Sequence, residues 1–252
     1  MEHDSDLKSL ATKYGTDKWG SHYYAQHYEA HFSKYRNKKI KLLEIGVGGY
    51  ADPNKGGESL RMWKEYFQQG LIYAVDIFDK SGLVEERIDI FQGSQTDNSF
   101  LQGIVDQVGE FDIIIDDGSH INKHITSTFD FLFKHLKDGG LYVVEDLQTS
   151  YWKNDGGDSF DLGNRRTAMN YFKSLTDSLN YEEIDNPWYK VSYFDQHIVG
   201  IHFYHNMVFI EKGMNNEGSN IVVNNIRPTR HKKKARLSYF YRKFIATLLL
   251  KN

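Results

Sequence analysis

The amino-acid sequence predicts an α/β protein: a doubly wound, mostly parallel seven-stranded sheet that ends in an antiparallel hairpin. Three observations carry that expectation. An unbroken apolar run empties into a glycine-rich turn, strand-like and helix-like segments alternate behind it, and two strand-like runs close the pattern with only two residues between them. A strand covered by helices on both faces reads as continuous apolar sequence, whereas one with a wet face alternates. Alternating strands and helices are the pattern of a parallel sheet, and a two-residue connection turns the chain back on itself.

The elements follow in order. IKLLEIG, residues 40–46, is the first buried strand and runs into GVGGYADPNKGGES. Leu60, Trp63 and Phe67, with polar residues between them, mark an amphipathic helix ending at Gly70. LIYAVDIF, residues 71–78, is the second strand, and RIDIFQGSQTD supplies a short third strand and its turn. A helix over 99–108, the strand FDIIIDDGSH, a helix over 126–137 and the strand GGLYVVEDL come next. The pattern then loosens into a loop over 148–163, a helix over 165–179, and the pair HIVGIHFY and MVFIEKG, parted by His205 and Asn206. The segment KYGTDKWGSHYYAQHYEAHF is aromatic and helical in character, and either packs across the sheet edge or covers a ligand. The expected division is a helical segment over 1–39, one domain over 40–213 and a tail over 214–252.

Composition excludes several classes. With 40% hydrophobic and 26% charged residues in 252, the chain can bury a core, and neither a disordered nor a collagen-like composition fits. The absence of cysteine removes disulfides, a thiolate nucleophile and Cys-ligated metal sites. MEHDSDLKSL has neither a basic nor an apolar leader region, and no apolar run approaches the roughly 18 residues of a membrane span, so the expectation is a cytoplasmic protein. Charge is uneven: the net of −3 combines nine basic and no acidic residues from Arg227 onward with −12 over residues 1–226.

The polar residues at the strand tips are the candidates for chemistry. Gly46, Gly48 and Gly49, after a buried strand and before a helix, fit a nucleotide site, because backbone can approach a ligand there and a helix N-terminus favours polar groups. The spacing is not that of GxGxxG, which demotes pyrophosphate binding and a hydride-transferring enzyme with it. Glu44 lies two residues before Gly46, and Asp76 ends the second strand. An acid in that second position either accepts both hydrogen bonds of a ribose diol or caps a turn.

Ligands of open parallel sheets sit at the strand carboxyl ends, so DDGSH (116–120) and VVED (143–146) face the crevice of the glycine-rich turn. Three carboxylates gathered from two strand tips repel one another unless a cation neutralises them, and oxygen donors point to Mg²⁺ or a similar hard ion. The competing reading makes Asp117 and Ser119 helix caps, with Glu145 and Asp146 as solvated loop acids. His120, three residues after Asp117, stands where a general base is needed, and an imidazole with its ordinary pKa of about 6.5 suits that task. His22, His27, His124, His197, His202 and His205 lack such a context and are expected to be packing or surface residues.

LLEIGVGG followed by YAVDI, together with the closing hairpin, resembles the first motifs of class I S-adenosylmethionine-dependent methyltransferases, whose fold is Rossmann-like. KYGTDKWGSHYY, LLEIGVGG, DDGSHxNxH and VVEDLQTSYW together resemble the metal-dependent sugar O-methyltransferases of macrolide tailoring, the mycinamicin-type family, over about residues 10–211. The resemblance implies S-adenosylmethionine and Mg²⁺ as cofactors, Asp117, Glu145 and Asp146 as metal ligands, and His120 as the base. It also implies that Tyr14, Gly15, Thr16, Lys18, Glu44, Gly46, Gly48, Asp76, Gln95 and Asp116 bind the cofactor, with Gln95 near the adenine and residues 14–18 over the methionine end. The family carries an additional N-terminal domain, whereas here the catalytic domain is expected to begin almost at Met1. The implied activity is methylation of a sugar hydroxyl on a small molecule or glycan, by a homo-oligomer or a monomer. A non-sugar vicinal diol as acceptor, or a non-catalytic binding module of the same fold, are the alternatives.

The tail lies outside the resemblance. HKKKAR precedes an apolar stripe at Leu237, Phe240, Phe244 and Leu248, adjoined by Tyr241, Ile245 and Leu249, which together form one helical face. Such a helix lies on an anionic membrane surface or packs on the body or a second subunit. The acidic body argues against nucleic acid.

Overall fold

A computed structural model of the chain describes residues 6–220. Helix α1 (Leu7–Tyr14) is capped by Asp6, whose side chain accepts from the Ser9 N–H, and is stopped by Gly15 in the left-handed conformation. After a turn comes α2 (Ala25–Phe32). Strand β1 (Lys41–Ile45) is then followed by α3 (Glu58–Tyr66), β2 (Leu71–Asp76), β3 (Ile88–Gln92), α4 (Asn98–Val108), β4 (Phe111–Asp116) and α5 (Asn122–Leu132). Strand β5 (Leu136–Val144), the short helices α6 (Ala168–Ser174), α7 (Thr176–Leu179) and α8 (Tyr193–His197), and strands β6 (Ile198–Tyr204) and β7 (Met207–Lys212) complete it.

The seven strands form one sheet in the order β3-β2-β1-β4-β5-β7-β6. Strands β1 to β5 pair in parallel, while β7 enters antiparallel between β5 and β6. The order in which strands are added reverses between β1 and β4, which run parallel, so their carboxyl ends open into one crevice, the usual ligand position in such sheets. Alternation along each strand divides the core. Leu141 and Val143 of β5 face the layer of α1, α2 and α3, and Tyr142 and Val144 face that of α4, α5 and α6. Trp63 of α3, fully buried, packs edge-on against Tyr28 of α2 at 4.9 Å, which ties the N-terminal segment to the domain.

Some boundaries differ from the sequence expectation for identifiable reasons. The helix expected over 126–137 starts at Asn122, since its N-cap is Ile121, which has no capping side chain to mark the start. It yields to a 3₁₀ turn at Phe133–His135, and Leu136 already belongs to β5. The register between β4 and β5 jumps from Phe111↔Leu136 to Ile113↔Leu141, so Gly139 and Gly140, expected to open the strand, lie inside an irregular one that starts at Leu136. The helix expected over 165–179 divides at Leu175 and begins only after Thr167, whose hydroxyl accepts from the Asn170 N–H. In the N-terminal segment α1 and α2 pack on the domain, and residues 15–18 of the turn between them line the crevice.

Candidate active site

The crevice is a cavity of about 760 Å³ at the tips of β1, β2, β4 and β5. Its floor exists because of Gly46, at φ 94°, where a Cβ would lie 2.1 Å from the Asp117 carbonyl oxygen. Any side chain there would push β1 and β4 apart. Asp76 ends β2 with each carboxylate oxygen engaged, Oδ2 by the Val47 N–H and Oδ1 by the Phe78 N–H, both at 2.9 Å. It is therefore a turn residue that also lines the cavity, and its remaining lone pairs can still accept from a ligand hydroxyl.

At the opposite wall, Asp117, His120 and Asp146 bring ligand atoms within 4.8 Å of one another. His120 Nε2 stands 3.9 Å from Asp117 Oδ1 and 3.7 Å from Asp146 Oδ2. Tyr24 donates its hydroxyl to Asp146 Oδ1 at 2.8 Å. Burial pushes the Asp146 carboxyl up, but the Tyr24 hydroxyl, His120 and their neighbours outweigh it and hold the group below its ordinary value. Five described non-glycine residues have positive φ, and three of them, Tyr50, His120 and Asp146, line this cavity. Backbone strain concentrated in this way is characteristic of sites where side-chain direction matters more than local stability.

Behind that wall lies a buried cation. The Lys18 ammonium, 1% exposed, donates to Asp117 Oδ2 at 2.8 Å and Glu145 Oε1 at 2.7 Å, and stands 3.4 Å from Glu44 Oε1. Burial opposes its charge, but Asp117, Glu145 and Glu44 together hold its pKa well above the ordinary value. Three carboxylates around one ammonium leave negative charge in excess. Burial accordingly pushes Glu44 up to about 7, while burial and then Asp117 push Glu145 well up. Glu44 Oε2 takes Ser59 and Trp63, whereas its Oε1 has no hydrogen bond.

Of the residues expected to bind cofactor or metal, Gly15, Thr16, Lys18, Gly46, Gly48, Asp76, Gln95, Asp117 and Asp146 line the cavity, together with the expected base His120. Four stand behind it. Tyr14 donates to Glu65 Oε2 on α3, Glu44 lies beneath Lys18, and Asp116, which burial pushes up to about 7, accepts from the Gln95 amide. Glu145 is the fourth: just past the end of β5 it receives Lys18 and the Tyr28 hydroxyl, whereas the chain turns at Asp146, with φ 54°, and directs that side chain to His120. The clustered trio is thus Asp117, His120 and Asp146, with Glu145 one layer deeper. The helix-cap reading of Asp117 and Ser119 is not realised, because α5 has no side-chain cap.

Three residues of this region escaped the sequence reading. His124, expected to be a packing or surface residue, lines the cavity with Nδ1 2.9 Å from Ser119 Oγ. His22, expected likewise, has Nε2 4.0 Å from Asp146 Oδ1. Asn122, present in the DDGSHxNxH pattern without a role, donates to the carbonyls of Thr149 and Asp155 and accepts from the Ser150 hydroxyl and the Ala168 N–H. The i, i+4 spacing of His120 and His124 was the available signal for the first, whereas the other two depend on contacts distant in sequence.

The donor set fits a hard cation. Lys18 shows that Asp117 and Glu145 already hold one positive charge between them, and Asp146 with the second oxygen of Asp117 remains on the cavity side. Carboxylate oxygens with at most one imidazole suit Mg²⁺ better than a thiolate-preferring metal.

The seven-stranded, mostly parallel sheet with its antiparallel last pair, helices on both faces and a crevice at the strand tips is the Rossmann-like fold of methyltransferases. The chain is a homologue of the mycinamicin- and tetracenomycin-type sugar O-methyltransferases. It is 50% identical over 215 residues to demethylmacrocin O-methyltransferase of Streptomyces fradiae, covering 84% of this chain and 54% of that protein. It is 44% identical over 216 residues to 8-demethyl-8-(2-methoxy-alpha-L-rhamnosyl)-tetracenomycin-C 3'-O-methyltransferase of Streptomyces olivaceus, covering 85% and 55%. The solved MycE methyltransferase of the mycinamycin biosynthetic pathway, in complex with Mg and SAH, superposes with a TM-score of 0.84 at 44% identity, covering 95% of this chain and 59% of that one. A second structure of MycE also holds mycinamycin VI. The chain spans about half the length of the curated relatives it matches. No protein-family model matches it.

Proposed function

We propose that this chain transfers the methyl group of S-adenosylmethionine to a hydroxyl of a sugar carried by a small molecule, with a divalent cation at the acids of the β4 and β5 tips. The observation that carries the reading is the convergence of Asp117, His120 and Asp146 on one wall of a cavity whose other wall is the glycine-rich turn and Asp76. The relatives' names support it, since they are O-methyltransferases and one acts on a rhamnosyl compound, and MycE holds Mg and SAH.

In this reading Asp76 and the backbone of residues 46–48 hold the nucleoside end, Gln95 flanks the base, and the turn of residues 15–18 closes over the methionine end. Residues 1–39 then act as a cofactor cover on a catalytic domain over 40–213. Asp117 and Asp146, with Glu145 one layer deeper beside Lys18, would hold the cation, and a bound cation would supply positive charge that acidifies a sugar hydroxyl. His120, braced between Asp117 and Asp146, takes the proton of that hydroxyl as the hydroxyl oxygen bonds to the sulfonium methyl carbon, and the carbon–sulfur bond breaks to release S-adenosylhomocysteine. Holding the acceptor in line is the larger part of the task, and the rigid strand tips supply it.

The test is transfer of a labelled methyl group from S-adenosylmethionine to a panel of glycosides bearing vicinal hydroxyls. His120→Ala is expected to keep cofactor binding and lose roughly 10²–10⁴-fold in turnover. Chelator is expected to abolish turnover, and an enzyme indifferent to it would remove the metal. Methylation of catechols but not of glycosides would move the acceptor to a non-sugar diol. The basic tail over 227–252 lies outside the described residues, and its sequence supports peripheral contact with an anionic membrane; equal liposome sedimentation with and without residues 231–252 would end that idea.

A further inference from the structure

Away from the cavity, α2 lies across the face of the β6–β7 hairpin and sets a second group of metal-ligating side chains together. His202 pairs with Phe209 and Gly200 with Glu211, so His202 and Glu211 are diagonal neighbours on one face of the hairpin. That face meets α2, because His27 stacks on Tyr204 at 3.8 Å and His31, one turn later, stacks on Phe209 at 4.3 Å. His31, His202 and Glu211 thereby offer ligand atoms within 4.8 Å of one another.

We propose that His31, His202 and Glu211 form a second metal site, for Zn²⁺ or a similar imidazole-preferring divalent ion, that clamps α2 to the sheet edge. Two imidazoles and one carboxylate form a common three-residue zinc set, leaving the fourth position to water. Tetrahedral zinc at about 2.0–2.1 Å from its ligands separates them by about 3.4 Å. His202 Nε2 and Glu211 Oε1 already stand 3.8 Å apart, so side-chain rotation alone closes the set. The site is reachable from solvent, with the His202 side chain 43% and Glu211 31% exposed. His31 Nε2 lies 2.9 Å from the Tyr204 hydroxyl, a partner able to fix the ring as a neighbouring group does for a metal-bound imidazole. Lys34 Nζ, 3.7 Å from Glu211 Oε1, is the counterion that the metal displaces. The donors differ from those of the cavity, where carboxylates dominate, so the two groups should sort metals by softness.

Calorimetric titration of Zn²⁺ into metal-stripped full-length protein, with Mg²⁺ in saturating excess, tests this. One Zn²⁺ per chain is expected in the wild type and in Asp117→Ala, with a rise in Tm. His202→Ala and Glu211→Gln, surface changes that leave the core untouched, should each weaken that binding by roughly 100-fold or more. No binding would overturn the proposal, as would binding lost in Asp117→Ala but kept in His202→Ala and Glu211→Gln.

Discussion

The Lys18 ammonium is one charge set against three carboxylates in a place water does not reach, and its partners lie 99 and 127 residues away. Removing one partner of a buried ionic cluster strands the others. Lys18→Met should therefore lose about 3–5 kcal/mol in urea unfolding, and a loss below about 1 kcal/mol would mean that the acids do not depend on it. Glu44 gives a pH signature. Its carboxyl rises from an ordinary 4.5 to about 7 on folding, so the folded state binds an extra proton between those values. Its contribution is complete below about pH 4.5 and is lost as the pH rises through about 7. The Tm advantage of wild type over Glu44→Gln should shrink across that interval, and parallel curves would contradict the assignment. His120 and Asp117 were legible because a strand-tip motif carries its own geometry. The placement of Lys18, matched only through a resemblance to a cofactor cover, was not, since no local pattern encodes a contact across 127 residues.

At the level of elements, Asn122 shows how a helix start can organise a loop. From the first residue of α5 its amide holds the Thr149 and Asp155 carbonyls, the Ser150 hydroxyl and the first N–H of α6. Asn122→Ala would leave several of these buried groups without partners, at about 1–3 kcal/mol each. Limited proteolysis should then cut residues 148–163 faster than in the wild type, and unchanged cleavage would show that the loop is held otherwise. The strands were read closely because burial on both faces leaves an apolar run, and the hairpin because His205 and Asn206 permit only a tight turn. The start of α5 and the division at Leu175 were missed, because Ile121 carries no capping signal and Leu175 resembles any core helix residue.

Across the whole molecule, the sheet order brings the β1, β2, β4 and β5 tips to one cavity, and α1 with α2 folds the residue 15–18 turn over it. Among the described residues two groups of side chains have donor atoms close enough to hold a metal ion, one rich in carboxylate and one in imidazole. Among the described residues, no helix is long and apolar enough to cross a membrane. The central claim is that this cavity takes an S-adenosyl compound beside a divalent cation. Calorimetric titration of S-adenosylhomocysteine and of NAD into the full-length protein, with Mg²⁺ and then with chelator, tests it most directly. The account predicts that S-adenosylhomocysteine binds and NAD does not. Binding of NAD, or of neither, would contradict it.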